Sequence, residues 1–338
     1  MSDLKITTLN LYNLQIAGER LYRNNVMSQA DFDGKIKWTS EILKQIDSDI
    51  IGFQELWHPD ALTAAFKAAG LENDYHFATR LTAGSINVAL AVKKPLEISD
   101  IKWVKKVPEE LKLIKSKSSM ANAPDYEISV DIGEFSRAVL NATVKVSDEV
   151  NIEVFVGHLK SQVPMRIDDE DYFSDAIRPH QSAIGSALSS IRRVSEAAGL
   201  RILANQVMKG TDTPTIIMGD LNEGQNSVMA AIVSGDPGYR LITNSRSGSR
   251  SDAGLYSVAT LQELRSLRDV YYTYIHDGFR QSLDHIFVSE QFYDHSRNRL
   301  WSFKETRIIN DHIDDSDNKT FGSDHGVVVS KFDWNPAD

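Results

Sequence analysis

Residues 215–222 read TIIMGDLN. Thr215–Met218 is a short run of β-branched and apolar residues, and the chain then turns polar at Asp220 and Asn222. A run of this length and composition reads as a buried strand, so this strand delivers a carboxylate and an amide at its C-terminal end. Three other runs do the same: ITTLN ends at Asn10, DIIGFQE at Glu55 and IEVFVGH at His158. Two later runs are reversed. In SLDHIFVS the polar pair Asp284–His285 comes first, and in SDHGVVV Ser323, Asp324 and His325 come first. If all six sets meet at one edge, the last two strands run opposite to the first four, which predicts mixed sheets containing antiparallel pairs.

Working outward, strand-like runs recur along the whole chain: Ile6–Leu9, Ile50–Phe53, Ile86–Val92, Val139–Val146, Ile152–Val156, Thr215–Met218, Ile286–Val288 and Val327–Val329. Helical patterns lie between them. Gly34–Asp47 carries Ile36, Ile42, Leu43 and Ile46. Pro59–Ala69 opens on a proline and ends before Gly70, as a helix should. Pro179–Lys209 has Ile184, Leu188, Ile191, Ala198 and Ile202 near helical spacing, interrupted by Gly185 and Gly199. Trp103–Asp131 and Glu223–Leu267 read as surface excursions. Without repeats, low-complexity tracts or a Pro/Gly/Ser linker, the 338 residues read as one α/β domain, 1–338.

The composition excludes several classes. There is no cysteine, so disulfides, thiolate zinc sites and cysteine nucleophiles are out. The formal charge of -10 argues against a protein that coats nucleic acid, though not against an enzyme that touches a few phosphates. No window approaches a membrane span, and a strand-like run begins by Ile6, leaving no room for a secretory leader. A cytoplasmic location is expected, with no obligate protein partner evident.

The residue types point to a chemistry. Asn, Glu and Asp offer hard oxygen ligands suited to Mg²⁺ or Mn²⁺. Such an ion polarises a phosphoryl oxygen. Histidine held by a carboxylate can move a proton at neutral pH, and Asp284 with His325 suit that pairing if the fold joins them. Neither a GxxxxGK[ST] loop nor HExxH is present.

The ordered string LNLYNL, FQEL, GHLKS, GDLNE, SLDHIFVS and GSDHG, spanning residues 9–326, resembles the endonuclease/exonuclease/phosphatase superfamily of DNase I-like and exonuclease III-like enzymes, in a bacterial-type subgroup. The resemblance implies a four-layer α/β sandwich, two mixed β-sheets packed face to face with helices outside. It implies metal-site positions at Asn10, Glu55 and Asp324, with Glu55 the main ligand. It implies phosphate contact at His158, an aspartate at Asp220 that positions or deprotonates water, an amide at Asn222 that holds the phosphate or that aspartate, and a catalytic His325 oriented by Asp284. Whether Asp220 or His325 is the base stays open. Tyr12 stands where the exonuclease III-like repair enzymes carry an acidic residue, and His158 where they are usually aromatic, so the chain leans toward the DNase I-like and phosphatase branches.

Further candidates for phosphate or substrate binding are Asn87 inside an apolar strand, Arg137 before one, and Lys160 two residues past His158. Arg178 and His180 lie in the inserted stretch. His285 alternates away from Asp284 and reads as structural; Asp311–Asp317 reads as a solvated acidic loop. Lys102–Lys117 combines six lysines with Trp103, a composition that can grip a single strand, though a helix-plus-loop surface is the more ordinary reading. The expected function is Mg²⁺- or Mn²⁺-dependent hydrolysis of a phosphate ester, foremost a phosphodiesterase acting as a nuclease on DNA or RNA. The alternatives are a phosphomonoesterase or phospholipid-type hydrolase on the same fold, and lastly a binding module without chemistry.

Overall fold

The computed structural model describes residues 2–22, 25–116, 127–239, 254–266, 272–276, 278–313 and 321–337. In chain order the elements begin with β1 (Leu4–Leu14), α1 (Gln29–Ile46), β2 (Ile50–Leu56), α2 (Pro59–Ala69), β3 (Tyr75–Ala78), β4 (Asn87–Lys93) and β5 (Glu97–Lys106). A small hairpin, β6 (Leu113–Lys115) and β7 (Ile128–Val130), precedes β8 (Glu134–Lys145) and β9 (Asn151–His158). Then come α3 (Asp169–Tyr172), α4 (Gln181–Met208), β10 (Thr215–Asp220), α5 (Val228–Ser234), β11 (Tyr256–Ser257) and α6 (Val258–Glu263). A second hairpin, β12 (Tyr274–His276) and β13 (Phe279–Gln281), leads into β14 (Asp284–Val288), β15 (Trp301–Ile309) and β16 (Val327–Trp334).

The strands form two six-stranded mixed sheets, ordered β15-β16-β1-β2-β4-β3 and β11-β14-β10-β9-β8-β5. In each, a parallel central pair (β1 with β2, β9 with β10) is flanked by an antiparallel late strand, β16 beside β1 and β14 beside β10. This is the reversal read from the polar residues at the strand starts.

Alternation along each strand sorts the side chains. Even-numbered residues Leu4, Ile6 and Ile50 of the first sheet meet Val154, Val156, Ile216, Met218, Ile286 and Val288 of the second in one buried layer. Odd-numbered Leu9, Ile51, Phe53 and Val327 face α1 and α2, packing on Leu43, Ala65 and Phe66. Phe155, Ile217 and Phe287 face α4 and α5, meeting Leu200, Ala204 and Val233. The result is the four-layer sandwich, helices outside two facing sheets.

The helices differ from expectation in instructive ways. α1 starts at Gln29, five residues before Gly34, because Ser28 caps it: its Oγ accepts from the Asp31 N–H at 3.0 Å. α2 has the predicted bounds. α4 begins at Gln181 after a 3₁₀ turn at Arg178–His180. Its glycines are sites of close packing: a Cβ at Gly185 would lie 2.3 Å from the Met165 carbonyl oxygen, and one at Gly199 would lie 3.0 Å from the Phe135 ring. The expected apolar face is out of phase in its first half. Ile184, Leu188 and Ile191 are exposed while Ser189, Arg193 and Glu196 are buried. Polar groups win that face because they tie down loops. Glu196 accepts from the backbone N–H groups of Ser136 (2.6 Å) and Lys160 (2.8 Å), and Arg193 donates to the Ser161 carbonyl at 3.0 Å.

The stretch expected as an excursion from Trp103 is partly sheet. Residues 97–106 are the edge strand β5 beside β8, and lysines there suit an edge that must not recruit another strand. Trp103 packs against the inter-sheet core with the Arg80 guanidinium 5.8 Å from its ring centre, which removes it as a stacking platform for a single strand. Lys117 and residues 240–253, 267 and 314–317 of the excursions and acidic loop lie outside the described residues.

Gly219 has φ +143°, and a Cβ there would lie 1.9 Å from the Gly157 carbonyl oxygen on the neighbouring strand. A Cβ at Gly157 would meet only Leu200, at 3.6 Å. Gly219→Ala is therefore expected to lower unfolding free energy by about 3 kcal/mol or more, and Gly157→Ala by about 1 kcal/mol or less. Urea midpoints of the two variants check the contrast.

Candidate active site

The inner layer of even-numbered residues turns polar one step past its last apolar member. Asn10 follows Ile6 and Thr8, His158 follows Val156, Asp220 follows Met218, and Asp284 precedes Ile286. The site is thus the polar continuation of the inter-sheet core. Glu55 breaks the rule, since alternation alone assigns it to the helix side with Ile51 and Phe53. Its backbone is left-handed (φ +60°), and the β1–β2 register shifts between Asn10 and Leu14, so a local irregularity re-aims the carboxylate. Tyr12 (φ +45°) and Asn13 (φ +61°) form the opposing left-handed turn. The Asn13 N–H donates to Glu55 Oε2 at 3.1 Å, and Asn13 Oδ1 accepts from the Trp57 indole at 2.9 Å.

Eight predicted residues converge. The Asn10 amide donates to Asp220 Oδ2 (3.1 Å) and Glu55 Oε1 (3.5 Å), while its oxygen accepts from the Tyr12 N–H (2.9 Å). Asn10 therefore presents N–H to the carboxylates and bridges them. His158 Nε2 lies 3.5 Å from Asp220 and 4.0 Å from Glu55. His325 Nδ1 is 2.8 Å from Asp284 Oδ2, and its Nε2 is 3.9 Å from Asp220 and 4.0 Å from Asp324. Asn222, also left-handed (φ +56°), donates its backbone N–H to Asp220 Oδ1 at 2.8 Å and its side chain to the Leu159 carbonyl at 3.2 Å. Thr273, which the sequence did not single out, and Ser323, read there only as the first of the strand-start trio, steady the dyad. Thr273 Oγ1 accepts from the Asp284 N–H (3.2 Å), and Ser323 Oγ accepts from the His325 N–H (2.9 Å) while donating to the Asn10 carbonyl (2.8 Å).

Burial sets the electrostatics. It pushes the Asp220 carboxyl up, helped by Asp284 and Glu55 and opposed by His325. It pushes Asp324 up to about 6, with Glu55 adding to the rise. His325 is pulled down by burial, yet Asp284 and Asp220 outweigh that and hold it well above its ordinary value, an imidazolium at neutral pH. His158 goes the other way: burial, then the charges of Arg137 and His325, hold it neutral. The two histidines are thereby separated in protonation state by their surroundings.

Hard-oxygen donors fit a divalent cation. Asp324 Oδ1 is buried without a hydrogen-bond partner, as is Asp284 Oδ1, and carboxylates driven toward neutrality by burial and one another gain most from a cation. The ligand-capable atoms of Asp220, Asp284 and His325 also lie within 4.8 Å of one another. In that trio Asp284 Oδ2 and His325 Nδ1 engage each other, while Asp324 Oδ1 has no partner and each Glu55 oxygen accepts one N–H.

The other candidates fall differently. Arg137 donates to the Leu159 carbonyl at 2.9 Å, near enough to His158 to depress it. Asn87 is taken up locally: its oxygen accepts from Thr82 Oγ1 (2.9 Å) and its amide donates to the Ser85 carbonyl (3.2 Å). The Lys160 ammonium is spent on Ser161 and the Val163 carbonyl, each contact within 3.1 Å. Arg178 pairs with Asp175 at 3.5 Å in an exposed turn, beside exposed His180. His285 is structural, its Nε2 2.8 Å from the Glu223 carbonyl. The sequence reading missed Lys35 and Tyr274. The Lys35 ammonium donates to the Tyr12 carbonyl (2.6 Å), and burial lowers its pKa to about 8. The Tyr274 ring lies 4.9 Å from that of His325. Lys35 sits mid-helix and Tyr274 on an isolated hairpin, so neither carried a strand-end signal.

A four-layer sandwich with a buried carboxylate–histidine edge defines a class of phosphoesterase-type folds. The profile of the Endonuclease/Exonuclease/phosphatase family matches residues 9–325, and the chain belongs to that family. No match emerges among curated proteins. Similar solved structures include D. rerio TDP2 complexed with a single-strand DNA product (15% identity, TM-score 0.56, covering 98% of this chain and 100% of that one). The human Nocturnin catalytic domain with bound sulfate has 13% identity and TM-score 0.55, covering 98% and 95%. An endonuclease/exonuclease/phosphatase family protein from Bacteroides thetaiotaomicron has 15% identity and TM-score 0.54, covering 99% and 96%. At these identities the likeness establishes the fold.

Burial lowers the His285 pKa below 6.5. Below pH 6.5 the unfolded chain binds a proton that the folded chain refuses, so stability falls with pH until the folded pKa is reached, by up to about 1.4 kcal/mol per pH unit. The unfolding free-energy gap between wild type and His285→Gln should therefore narrow between pH 8 and pH 5.5. A gap that stays constant in urea titrations at both pH values contradicts the assignment.

Proposed function

We propose that the chain, acting as one catalytic unit, is a metal-dependent phosphodiesterase that cleaves nucleic acid in the cytoplasm. The observation that carries this reading is the geometry of the buried edge: His325 Nδ1 2.8 Å from Asp284 Oδ2, Asp220 held by the Asn10 amide and the Asn222 N–H, and an unpartnered Asp324 oxygen beside them. Glu55 and Asp324 would hold Mg²⁺ or Mn²⁺, with Asn10 fixing the Glu55 carboxylate. The ion, when bound, supplies polarisation of a phosphoryl oxygen and neutralisation of developing charge.

The chain's own groups divide the remaining work. His325, already protonated and oriented by Asp284, serves as a cationic donor to a phosphoryl oxygen. In this reading Asp220 is the base. Its Oδ1 is held by the Asn222 N–H and its Oδ2 by Asn10, and its raised pKa suits it to take a proton from the attacking water. Neutral His158 and Arg137 supply further donors on the side of Leu159. The likeness to D. rerio TDP2 complexed with a single-strand DNA product supports a nucleic-acid substrate. Among the described residues no helix is long and apolar enough to cross a membrane.

His325→Ala is expected to cut kcat about 10³-fold with far-UV circular dichroism retained, and Glu55→Gln to raise the Mg²⁺ concentration needed for half-maximal rate at least tenfold. Purified protein is assayed on supercoiled plasmid, single-stranded DNA, RNA, bis(p-nitrophenyl) phosphate and p-nitrophenyl phosphate with Mg²⁺, Mn²⁺ or EDTA. Wild-type rates in both variants sink the site assignment, and turnover of the monoester alone sinks the phosphodiesterase reading.

A further inference from the structure

Beside the catalytic edge lies an open cleft of about 480 Å³, within the size range of small-molecule sites. It adjoins the site through the chain itself, since Glu223 follows Asn222 and Ser282 stands two residues before Asp284. Three glutamines dominate the lining: Gln162, Gln225 and Gln281. Each has part of its amide committed to the wall. Gln162 Nε2 donates to the Asn222 carbonyl (2.9 Å) and to Gln281 Oε1 (3.4 Å). Gln225 Nε2 donates to Glu263 (2.8 Å) and to Thr260 (3.3 Å). Their orientation is thereby fixed, and the Gln162 and Gln225 oxygens and the Gln281 amide nitrogen remain as two acceptors and one donor.

The charge around the cleft does not suit a polyanion. Glu263 and Glu223 line the cleft with Arg280; Glu223 is paired with Arg193, the Arg280 guanidinium lies 5.4 Å from the Tyr272 ring centre, and the Lys160 ammonium is spent on its own loop. One exposed ring stands next to the lining residue Arg280 in the chain, outside the lining itself. Phe279 on β13 is 71% exposed, and strand alternation puts it on the face of Gln281. Fixed amides with a stacking ring match a flat, neutral group that carries both donors and acceptors.

We infer that this cleft is a subsite for the nucleobase attached to the scissile phosphate, read by Gln162, Gln225 and Gln281 and stacked by Phe279, with few phosphate contacts. The inference rests on the phosphodiesterase reading for its neighbour but names its own residues and ligand. A nucleobase beside a phosphodiester can come from a small dinucleotide or from the end of a single strand.

The test uses His325→Ala protein in Mg²⁺, so that binding is read without turnover. Calorimetry compares a dinucleoside monophosphate with its abasic analogue. The base-bearing ligand is expected to bind at least tenfold tighter, and Gln225→Leu with Gln281→Leu to close most of that gap. Gln162→Leu and Phe279→Ala, both surface changes, each narrow it about threefold or more. Equal affinities for the two ligands, or a gap that survives all four substitutions, overturn the inference. Oligothymidylates of increasing length separate the sources: a plateau at two nucleotides assigns the small molecule, and a further rise with a log–log salt slope near about -1 assigns a strand end. A slope steeper than about -3 overturns the claim of base-led recognition. Wild-type protein that hydrolyses nothing while the binding gap persists would sink the phosphodiesterase reading alone; equal kcat/KM on base-bearing and abasic esters would sink the subsite alone.

Discussion

At the catalytic edge one hydrogen bond joins β1 of the first sheet to β10 of the second: the Asn10 amide to Asp220 Oδ2, 3.1 Å. It is possible only because β1 and β10 both point their even-numbered residues into the shared layer, Ile6 and Met218 included. The same amide holds Glu55, and the Asn10 carbonyl accepts from Ser323, whose oxygen receives the His325 N–H. Through this one residue, side chain and backbone together, groups from β1, β2, β10 and the turn before β16 share a common position. A packing constraint, the closeness of two apolar sheets, thus becomes a geometric constraint on reacting groups.

Burial gives that cluster its chemistry. Carboxylates pressed together away from water resist ionisation, and Asp220 and Asp324 are both pushed upward. The cluster relieves part of this strain internally by keeping His325 protonated between Asp284 and Asp220. The remainder favours a cation from outside. His158, equally buried but facing Arg137, is held neutral. Two identical side chains thus acquire different proton-transfer properties from position alone.

Precision at the edge is supplied from behind. The buried polar stripe of α4 costs the helix its expected apolar phase and secures the loops that flank β8, β9 and β10, through Glu196 to Ser136 and Lys160 and through Arg193 to Ser161 and Glu223. Local backbone strain serves the same end. Left-handed conformations at Tyr12, Asn13, Glu55 and Asn222 gather where side chains must be re-aimed. Gly219 allows β10 to approach Gly157 more closely than any side chain would permit.

The alternation of apolar residues and the polar residues at strand ends determined much of this protein from sequence alone. They pointed to mixed sheets with β14 and β16 reversed, on the condition that the polar ends share one edge, and to a structural His285, because a strand's period and the ends of its apolar run are local properties; that Asn10, Glu55, His158, Asp220, Asp284 and His325 do share an edge is decided by the packing of the two sheets. Other features are decided by neighbours that sequence spacing does not reveal. Asn87 and Lys160 carry suitable groups, yet nearby loop atoms claim them. Trp103 is claimed by the core, and the exposed stripe of α4 is set by loops that need Arg193 and Glu196. Lys35 and Tyr274 reach the site only because α1 and the β12–β13 hairpin are folded over it. Protonation states also belong to the tertiary structure, since desolvation and charge proximity exist only once the two sheets have closed.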